Sequence, residues 1–456
     1  MNGTRPELVK QSYSAYYNRD IPSEDAVLTH VGPGKPAGEL LRRYWQPIAY
    51  SRELKDLPIR RRIMGEDLVV FRDGRGKVGL LELHCSHRGT SLEYGRIEER
   101  GIRCCYHGWQ FDVDGRILDT PLEPADSTLK DRFFHGAYLV KEHRGIVWGY
   151  MGPPDKVPDL PALDLLAFPG YTLEPGELTG APNFRPCNWL QVVDNYVDPQ
   201  HEEYLHALHS GVQFVARNGK FVEELKIIGE AEYVETPTGI LTLEMRRLDD
   251  ETVWVRNIEY IWPNIATLGL LPQWPPCFGP RDTELHDFPI TMVWAVPTDD
   301  TNTMEMSFVL TPFGQENPRT KHKMPALVAN GPGRPYEDMQ RMPGDFEAQV
   351  GQRPIAIHAR EHLGAVDRGV AMMRKGIREA IEEVQEGRDP VNVFRDGKTV
   401  ATYGGDTALR LEAAAKAEDD KRLMRRAGRE MAQRYIKTPP HLHRLKSGPT
   451  MAATAD

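Results

Sequence analysis

The chain has 456 residues, of which 40% are hydrophobic and 27% are charged, a composition typical of a globular protein with two or three domains. It contains no run of roughly 18 apolar residues that could span a membrane and no secretory core near its start, so we expect a cytoplasmic protein without a membrane partner. A net charge of −9 argues against a broad nucleic-acid-binding surface, and five cysteines are too few for a disulfide scaffold.

The first predicted elements are a short helix and a set of β-hairpins. Residues 36–46 have the pattern of a short helix, and apolar runs alternate with tight turns between about 59 and 150. The three clearest turns are at Asp73-Gly74, Asp114-Gly115 and Arg144-Gly145. Asp-Gly pairs between apolar runs are a strong hairpin signal, so this region is predicted to be a small antiparallel β domain.

Residues 152–161 contain four prolines and are typical of a stiff linker. A helical stretch near 188–210 follows, then strand-like runs between about 222 and 312, and then helical patterns near 366–386 and 406–435. Strands framed by helices predict an α+β fold. The expected divisions are an N-terminal segment (1–47), a β domain (48–155), a larger domain (156–437) and a C-terminal arm (438–456).

A first group of possible metal ligands lies in the predicted β domain. Its spacing is Cys-x-His-x16-Cys-x2-His, formed by Cys85, His87, Cys104 and His107. Two thiolates suit one iron of a [2Fe–2S] cluster and two imidazoles suit the other, which raises the reduction potential. A structural zinc site also uses two cysteines and two histidines, and ordinary buried side chains are a further alternative. Both pairs lie between hairpins, however, whereas zinc fingers commonly carry their histidines on a helix.

A second group, Asp198-x2-His201-x4-His206, lies in the predicted helical stretch. Two imidazoles and a carboxylate can bind Fe(II) and leave positions open for other ligands. Residues five apart lie about 140° around an ideal helix, so both histidines reach one metal only if the helix is distorted or ends there. His206 and His209 would share a face more naturally, and a surface helix with scattered histidines is the structural alternative.

The first motif, with its flanking His-Arg-Gly and Gly-Trp, resembles the Rieske [2Fe–2S] domain of ring-hydroxylating oxygenases. This resemblance implies that Cys85 and Cys104 bind one iron and that His87 and His107 bind the other. The family commonly has proline where this chain has Cys105. Cys105 could compete as a ligand, but the Cys-x2-His pattern favours Cys104, and we expect Cys105 to be a packed residue without a ligand role.

The second motif is similar to the mononuclear iron motif of the same family, and it follows the Rieske motif in the expected order. The resemblance implies that His201 and His206 bind iron. It also implies that Asp198 is not a ligand but bridges an iron-binding histidine and a Rieske histidine of a neighbouring subunit. The third ligand is predicted to be Asp367, whose surroundings are similar to phthalate dioxygenase-type enzymes. Glu361 is the leading rival, and an ordinary helix N-cap is the alternative for Asp367.

The residues near 30–47 are similar to the phthalate dioxygenase and aryl O-demethylase branch of the family. Membership implies a Rieske β domain and a catalytic helix-grip (START-like) domain, in homotrimers or stacked hexamers. It also implies a [2Fe–2S] cluster, mononuclear Fe(II), O2 as co-substrate and electrons from NAD(P)H. The chain shows no convincing dinucleotide fingerprint and no plant-type ferredoxin spacing, so a separate reductase or ferredoxin is expected as partner.

Residues 211–310 are expected to line the substrate pocket. They include aromatic residues that are more often core than pocket: Phe214, Phe221, Trp254, Tyr260, Trp262, Trp274, Phe278 and Trp294. They also include arginines that could pair with a substrate carboxylate: Arg217, Arg246, Arg247 and Arg256. We expect an aromatic, carboxylated substrate that is hydroxylated or O-demethylated. The rivals are an electron carrier without oxygenase activity, a zinc-dependent protein, and an oxygenase of a non-aromatic substrate.

Overall fold

The computed structural model describes residues 12–13, 15, 22–175, 183–215, 220–269, 278–287, 289, 291–314 and 333–439. Within this part of the chain, the strands form three antiparallel sheets, with helices before, between and after the strands of the larger sheet. The α+β class predicted from the sequence is therefore confirmed. No helix among the described residues is long and apolar enough to cross a membrane.

The short helix predicted over residues 36–46 ends at Leu41, because Trp45 and Gln46 pair with strand Ile146–Tyr150 in the first strand, which crosses the predicted boundary at 47–48. With that strand, the first ten strands make up the predicted β domain. They are β1 Trp45–Tyr50, β2 Ile59–Ile63, β3 Glu66–Arg72, β4 Val78–Glu82, β5 Arg96–Ile97, β6 Ile102–Arg103, β7 Gln110–Phe111, β8 Ile117–Asp119, β9 Ala137–His143 and β10 Ile146–Tyr150. One sheet has the order β1-β10-β9-β4-β3-β2 and a smaller one the order β5-β6-β7-β8. The three predicted hairpin turns join β3 to β4, β7 to β8 and β9 to β10, as expected.

A larger sheet is built from the strands that follow. They are β11 Tyr171–Pro175, β12 Asn183–Arg185, β13 Glu230–Glu235, β14 Gly239–Arg247, β15 Thr252–Ile261, β16 Ile265–Leu268, β17 Glu284–Asp287, β18 Thr291–Asp299, β19 Asn302–Pro312 and β20 Asp406–Arg410. Its main order is β11-β19-β18-β16-β15-β14-β13, with β12 on β19 and with β20 pairing both β15 and β17. The predicted boundary at 155–156 lies between β10 and β11.

The α-helices begin and end as follows: Ala26–Thr29, Pro36–Leu41, Trp189–Tyr196, His201–Glu203, Tyr336–Arg341, Asp345–Val350, Arg368–Gln385 and Ala417–Lys437. Helix Arg368–Gln385 buries a stripe of apolar residues three or four apart, which is the pattern of an amphipathic helix. The last helix begins at Ala417 and not near 406 as predicted. Residues 406–409 are all buried because they form the strand between β15 and β17.

The two larger sheets share one hydrophobic core. Trp148 of β10 meets Trp294 of β18 edge to face, with ring centroids 5.5 Å apart. The hydroxyl of Tyr50 donates to the Ser307 carbonyl at 3.0 Å, and the Met64 N–H donates to the Pro297 carbonyl at 2.8 Å. A second, smaller core surrounds the two cysteines of the first motif. The β domain is thus fixed firmly against the larger domain.

Candidate functional site

The two loops that carry the first motif are built alike. In each loop, the cysteine carbonyl accepts a hydrogen bond from a glycine N–H four residues later, at 2.8 Å from Gly89 to Cys85 and at 3.1 Å from Gly108 to Cys104. Both glycines have positive φ angles, 77° and 75°, which a residue without a Cβ adopts at little cost. The glycines therefore close the loops that present the cysteine and histidine side chains.

Two thiols and two imidazoles meet at these loops. Cys85 and Cys104 are buried, and burial, with a further contribution from the Cys104 thiol, raises the pKa of Cys85 to about 11. His87 and His107 are half-buried with ring centroids 4.6 Å apart, and His87 stacks on Trp109. Adjacent buried thiols ionise only beside a strong positive charge, which a metal supplies. The donor set fits a [2Fe–2S] cluster.

Cys105 does not have the environment that the sequence suggested. Its side chain is exposed, whereas Cys104 beside it is only 4% exposed and interacts with Cys85. The prediction of a packed Cys105 is therefore wrong, because only one of two successive side chains in this loop can face the interior. The interior position is occupied by the Cys104 side chain.

The second motif lies where an α-helix changes its pitch. A single α-helical turn, His201–Glu203, continues as a π-helix over Tyr204–His209. In a π-helix the hydrogen bonds connect residues five apart, so the turn is wider than in an α-helix. Residues with a spacing of five then lie along one side, and the rings of His201 and His206 have centroids 5.4 Å apart. The structure thus contains the distortion that the sequence spacing requires.

Asp345 supplies a carboxylate to these two histidines. Its Oδ1 lies 3.4 Å from His201 Nε2 and 3.1 Å from His206 Nε2, and one ligand atom from each residue lies within 4.8 Å of the others. Asp345 is the first residue of helix Asp345–Val350, after the N-cap Gly344. Two imidazoles and one carboxylate grouped in this way suit a non-heme Fe(II) ion.

The charges of this group also fit a metal ion. Burial would raise the pKa of Asp345, but the charges of His206 and His201 and their hydrogen bonds hold it well below its ordinary value. Burial would lower the pKa of His201, whereas its hydrogen bond to Asp345 and the charge of that carboxylate raise it. Imidazoles must be neutral to bind a metal. A divalent cation bound between these residues would supply the positive charge that stabilises the Asp345 carboxylate and would leave the imidazoles neutral.

The structure corrects the prediction that Asp367 is the third carboxylate. Asp367 is not in the group of possible ligands around the histidines. Its Oδ2 accepts a 2.6 Å hydrogen bond from the Gly364 N–H, which stabilises the turn before helix Arg368–Gln385. Burial raises the pKa of Asp198, and the negative charge of Asp367 contributes to the same rise. Asp367 stands at the N-cap position of this helix, but its side chain makes no cap hydrogen bond to the helix and instead closes the preceding turn Ala365–Asp367. The carboxylate beside the two histidines is that of Asp345.

Glu361, the rival of Asp367, belongs to a different group. Together with Asp194 and His358 it forms a second set of side chains within 4.8 Å of one another. Arg374 donates to both carboxylates, however, with N–O distances of 2.5 Å to each. Since the guanidinium already supplies the positive charge, this group is a largely buried ion-pair network.

Asp198 and Asn195 contact the two ring nitrogens of His201. The Asp198 carbonyl accepts a hydrogen bond from His201 Nδ1, and Asp198 Oδ2 lies 3.8 Å from the same atom, with the side chain 33% exposed. Asn195 Nδ2 lies 3.2 Å from His201 Nε2 and 3.3 Å from Asp345 Oδ1. His201 therefore presents Nε2 to the carboxylate. The bridging role of Asp198 stays a prediction.

Sequence reasoning did not find Asp345, Asn195 as a contact of His201, or Gln213, whose Oε1 lies 2.7 Å from His206 Nδ1. Asp345 stands 139 residues beyond His206 and belongs to no motif. The Gly-Asp-x-Glu pattern around it could have indicated a helix start but not a metal ligand. Its role emerges only from tertiary structure.

The arginine and aromatic side chains considered for substrate contact differ in their surroundings. Each described arginine of that set has a carboxylate partner at 2.5–2.6 Å: Arg246 with Glu244, Arg247 with Asp420, and Arg256 with Glu202. Trp254, Tyr260 and Trp294 are fully buried core residues, whereas the ring of Phe214 contacts His206, with centroids 4.8 Å apart. Arg217 and Trp274 lie outside the described residues.

The chain is similar to a known domain family and to several proteins of named function. A family model for the Rieske [2Fe-2S] domain matches residues 44–134. The chain is 39% identical over 442 residues to the tert-butanol monooxygenase / tert-amyl alcohol desaturase oxygenase subunit of Aquincola tertiaricarbonis, which covers 92% of this chain and 91% of that protein. It is 36% identical over 410 residues to the phenoxybenzoate dioxygenase subunit alpha of Ectopseudomonas oleovorans, with 86% and 93% covered.

A third relative is the 5,5'-dehydrodivanillate O-demethylase oxygenase subunit of a Sphingobium species, 33% identical over 384 residues, with 81% of this chain and 82% of that protein covered. The crystal structure of dicamba monooxygenase bound to dicamba shares the fold, with a TM-score of 0.55 at 18% identity, covering 76% of this chain and 99% of that chain. The predicted Rieske domain followed by a helix-grip catalytic domain is thereby confirmed. The chain belongs to the Rieske non-heme iron oxygenases, as an oxygenase (alpha) component of the phthalate dioxygenase and aryl O-demethylase branch, and its cofactors are a [2Fe–2S] cluster and a mononuclear iron.

Proposed function

We propose that this oxygenase component hydroxylates or O-demethylates an aromatic compound with O2. The observation that carries the proposal is the convergence of His201, His206 and Asp345 at the π-helical turn, in a chain that also holds a Rieske-type donor set. The named substrates of two relatives, phenoxybenzoate and dehydrodivanillate, support an aromatic substrate. The electrons come from NAD(P)H through a separate reductase or ferredoxin.

The residues assigned to the two cofactors follow from the donor atoms. Cys85 and Cys104 would bind one iron of the cluster, and His87 and His107 the other. His201, His206 and Asp345 would bind the mononuclear iron. When bound, the cluster transfers single electrons and the mononuclear iron activates O2. The protein fixes the ligand geometry through the π-helical turn, the helix start at Asp345 and the buried cysteine loops.

The possible reactions consume the same co-reactants, one O2, two electrons and two protons. In ring dihydroxylation both oxygen atoms enter the substrate, whereas in monohydroxylation one oxygen atom enters the substrate and the other leaves as water. In O-demethylation the hydroxylated methyl group then leaves as formaldehyde. The position of the substrate carbon relative to the mononuclear iron decides which product forms.

The bridging role predicted for Asp198 can be tested by substitution. We propose a homotrimer, or two stacked trimers, in which Asp198 receives a Rieske histidine of the next subunit. The Asp198→Ala variant should keep both iron centres, because its carboxylate is not in the ligand group, and should lose turnover by about 100-fold. Iron content and steady-state rate measure the two effects. Normal turnover would remove Asp198 from the electron path.

A second candidate substrate is a small tertiary alcohol. The relative that is 39% identical is named for tert-butanol and tert-amyl alcohol, and each described arginine of the predicted pocket set already has a carboxylate partner. Such a substrate would need no cationic partner in the pocket.

The test combines metal analysis with a substrate panel. About three irons and two acid-labile sulfides per chain, with a Rieske-type EPR signal after reduction, are expected from the two sites. O2 uptake and product analysis would then compare a methoxybenzoate, a phenoxybenzoate and tert-butanol. Product from either aromatic acid supports the main proposal, and product from tert-butanol alone replaces it by the second. Zinc without sulfide would refute both.

A further inference from the structure

The second histidine of the mononuclear site has a side-chain partner that no motif indicates. Gln213 is 5% exposed and follows the π-helix in the chain. Its backbone N–H donates to the His206 carbonyl at 2.9 Å, so its position relative to the histidine is fixed. Its side-chain amide then lies between the His206 ring and the Pro343 carbonyl.

The contacts of this amide determine its orientation. Gln213 Nε2 lies 3.1 Å from the Pro343 carbonyl oxygen, and a carbonyl can only accept a hydrogen bond. The NH2 group therefore faces Pro343, and Oε1 faces His206 Nδ1 at 2.7 Å. An amide oxygen can only accept as well, so the hydrogen of the neutral imidazole is on Nδ1. This leaves the lone pair on Nε2, the atom that lies 3.1 Å from Asp345 Oδ1.

The same amide connects the two ligand-bearing segments. Pro343 stands two residues before Asp345, and Gln213 follows His206 by seven. The Ser210 hydroxyl makes a second hydrogen bond to the Pro343 carbonyl, at 2.8 Å. The loop that carries the carboxylate is thus tied to the end of the π-helix by two side chains, of which only Gln213 also contacts an imidazole.

We infer that Gln213 is a positioning residue for the mononuclear iron. It selects the His206 tautomer that offers Nε2 and fixes the distance between this histidine and Asp345. The inference rests on the proposed function, because it takes His206 and Asp345 as ligands. Partners that orient a metal-binding histidine commonly contribute 10- to 100-fold to metal affinity.

The experiment measures Fe(II) binding rather than turnover. Protein depleted of mononuclear iron is titrated with Fe(II) in the presence of nitric oxide, and the EPR signal of the nitrosyl adduct is followed. The Rieske signal of the same sample shows that the protein is folded. Gln213→Leu should weaken Fe(II) binding about 10- to 100-fold and broaden the adduct signal. Ser210→Ala loses one tie to Pro343 without touching the imidazole and should change affinity by less than about threefold.

A conservative variant separates the effect of Gln213 on the orientation of the His206 ring from its effect on side-chain packing. Gln213→Glu keeps an oxygen that accepts from Nδ1 but loses the donor to Pro343, so it should restore most of the affinity lost in Gln213→Leu. If Gln213→Leu fails to fold, Gln213→Glu compared with Gln213→Ala gives the same contrast. Wild-type affinity and spectrum in the Leu variant, or a Glu variant as weak as Ala, would overturn the role of Gln213. Absence of Fe(II) binding in the unmodified protein would instead contradict the proposed function.

Discussion

At the scale of single residues, Cys104 and Cys105 form a matched pair for testing the cluster ligands. Cys104 is buried beside Cys85, and Cys105 is exposed. Cys104→Ser should abolish the cluster, since a serine oxygen is a poor replacement for a thiolate in iron–sulfur ligation, whereas Cys105→Ser should retain it. Acid-labile sulfide and the visible spectrum measure the difference. A Cys105→Ser variant without sulfide would assign the ligand role to Cys105.

The buried carboxyl group of Glu259 should make the free energy of unfolding depend on pH. It is fully buried, and burial raises its pKa to about 8, although the N–H groups of Tyr403 and Gly404 donate to it. The unfolded chain releases this proton near pH 4.3, while the folded protein keeps it to about pH 8. The free energy of unfolding should therefore fall as the pH rises, by on the order of 4 kcal/mol between pH 5 and 8 at about 1.4 kcal/mol per pKa unit.

The Glu259→Gln variant isolates this contribution. A glutamine stays neutral and keeps an oxygen for the two N–H donors, so denaturant unfolding of the variant should show a flatter pH profile than the unmodified protein. Glu235 at the end of β13 is exposed, and Glu235→Gln should leave the profile unchanged. Identical profiles for the unmodified protein and Glu259→Gln would show that the glutamate ionises freely in the fold.

Residues close together in the chain were the ones that sequence reasoning could place. The thiols and imidazoles of the first motif, and the pair His201 and His206, each lie in short segments whose spacing limits their geometry. Asp345 comes from a segment 139 residues away, and its approach to the histidines depends on how helix Asp345–Val350 packs. One sequence gives no measure of that packing, so another aspartate at a helix start was equally plausible.

At the scale of secondary-structure elements, the hairpins could be predicted from the sequence. The change from an α-helix to a π-helix could be predicted only in part. The turn at Arg144-Gly145 joins β9 to β10 through two residues with positive φ, which favours that hairpin locally. The π-helix could be anticipated only as a required distortion, because the spacing of five excludes a regular α-helix. Strand β20 was missed since its pairing partners, β15 and β17, lie far away in the chain.

Arg374 of helix Arg368–Gln385 forms ion pairs whose removal should cause a large loss of stability. Arg374 donates to Asp194 from helix Trp189–Tyr196 and to Glu361, and its side chain is 13% exposed. Arg374→Met would leave two carboxylates without their partner in a largely buried place, which should lower the free energy of unfolding by about 3–5 kcal/mol. Denaturant titration measures the loss.

Lys375 on the same helix provides the control. Its pair with Glu379 is exposed, at 74% and 59% for the two side chains, so Lys375→Met should change stability by less than about 0.5 kcal/mol. A loss below about 1 kcal/mol in Arg374→Met would show that water or other side chains compensate for the missing guanidinium.

At the scale of the whole molecule, the shared core couples the cluster domain to the catalytic domain. The sequence predicted two domains separated by a proline-rich linker, which suggests bodies that move independently. The structure instead has a continuous core through both large sheets, with Trp148 and Trp294 in edge-to-face contact. Such a coupling follows from side-chain packing across the sheets, which alternation of apolar residues along single strands does not reveal.

This coupling predicts one unfolding transition for both domains. Trp294 is 1% exposed, and Trp294→Ala should lower the free energy of unfolding by about 3–5 kcal/mol. Although the residue lies in the catalytic domain, the visible absorbance of the cluster and the far-ultraviolet circular dichroism should shift to lower temperature together. If the cluster absorbance kept its original midpoint while the circular dichroism shifted, the Rieske domain would be stable on its own, and the contacts across the core would orient the domains without contributing to a common transition.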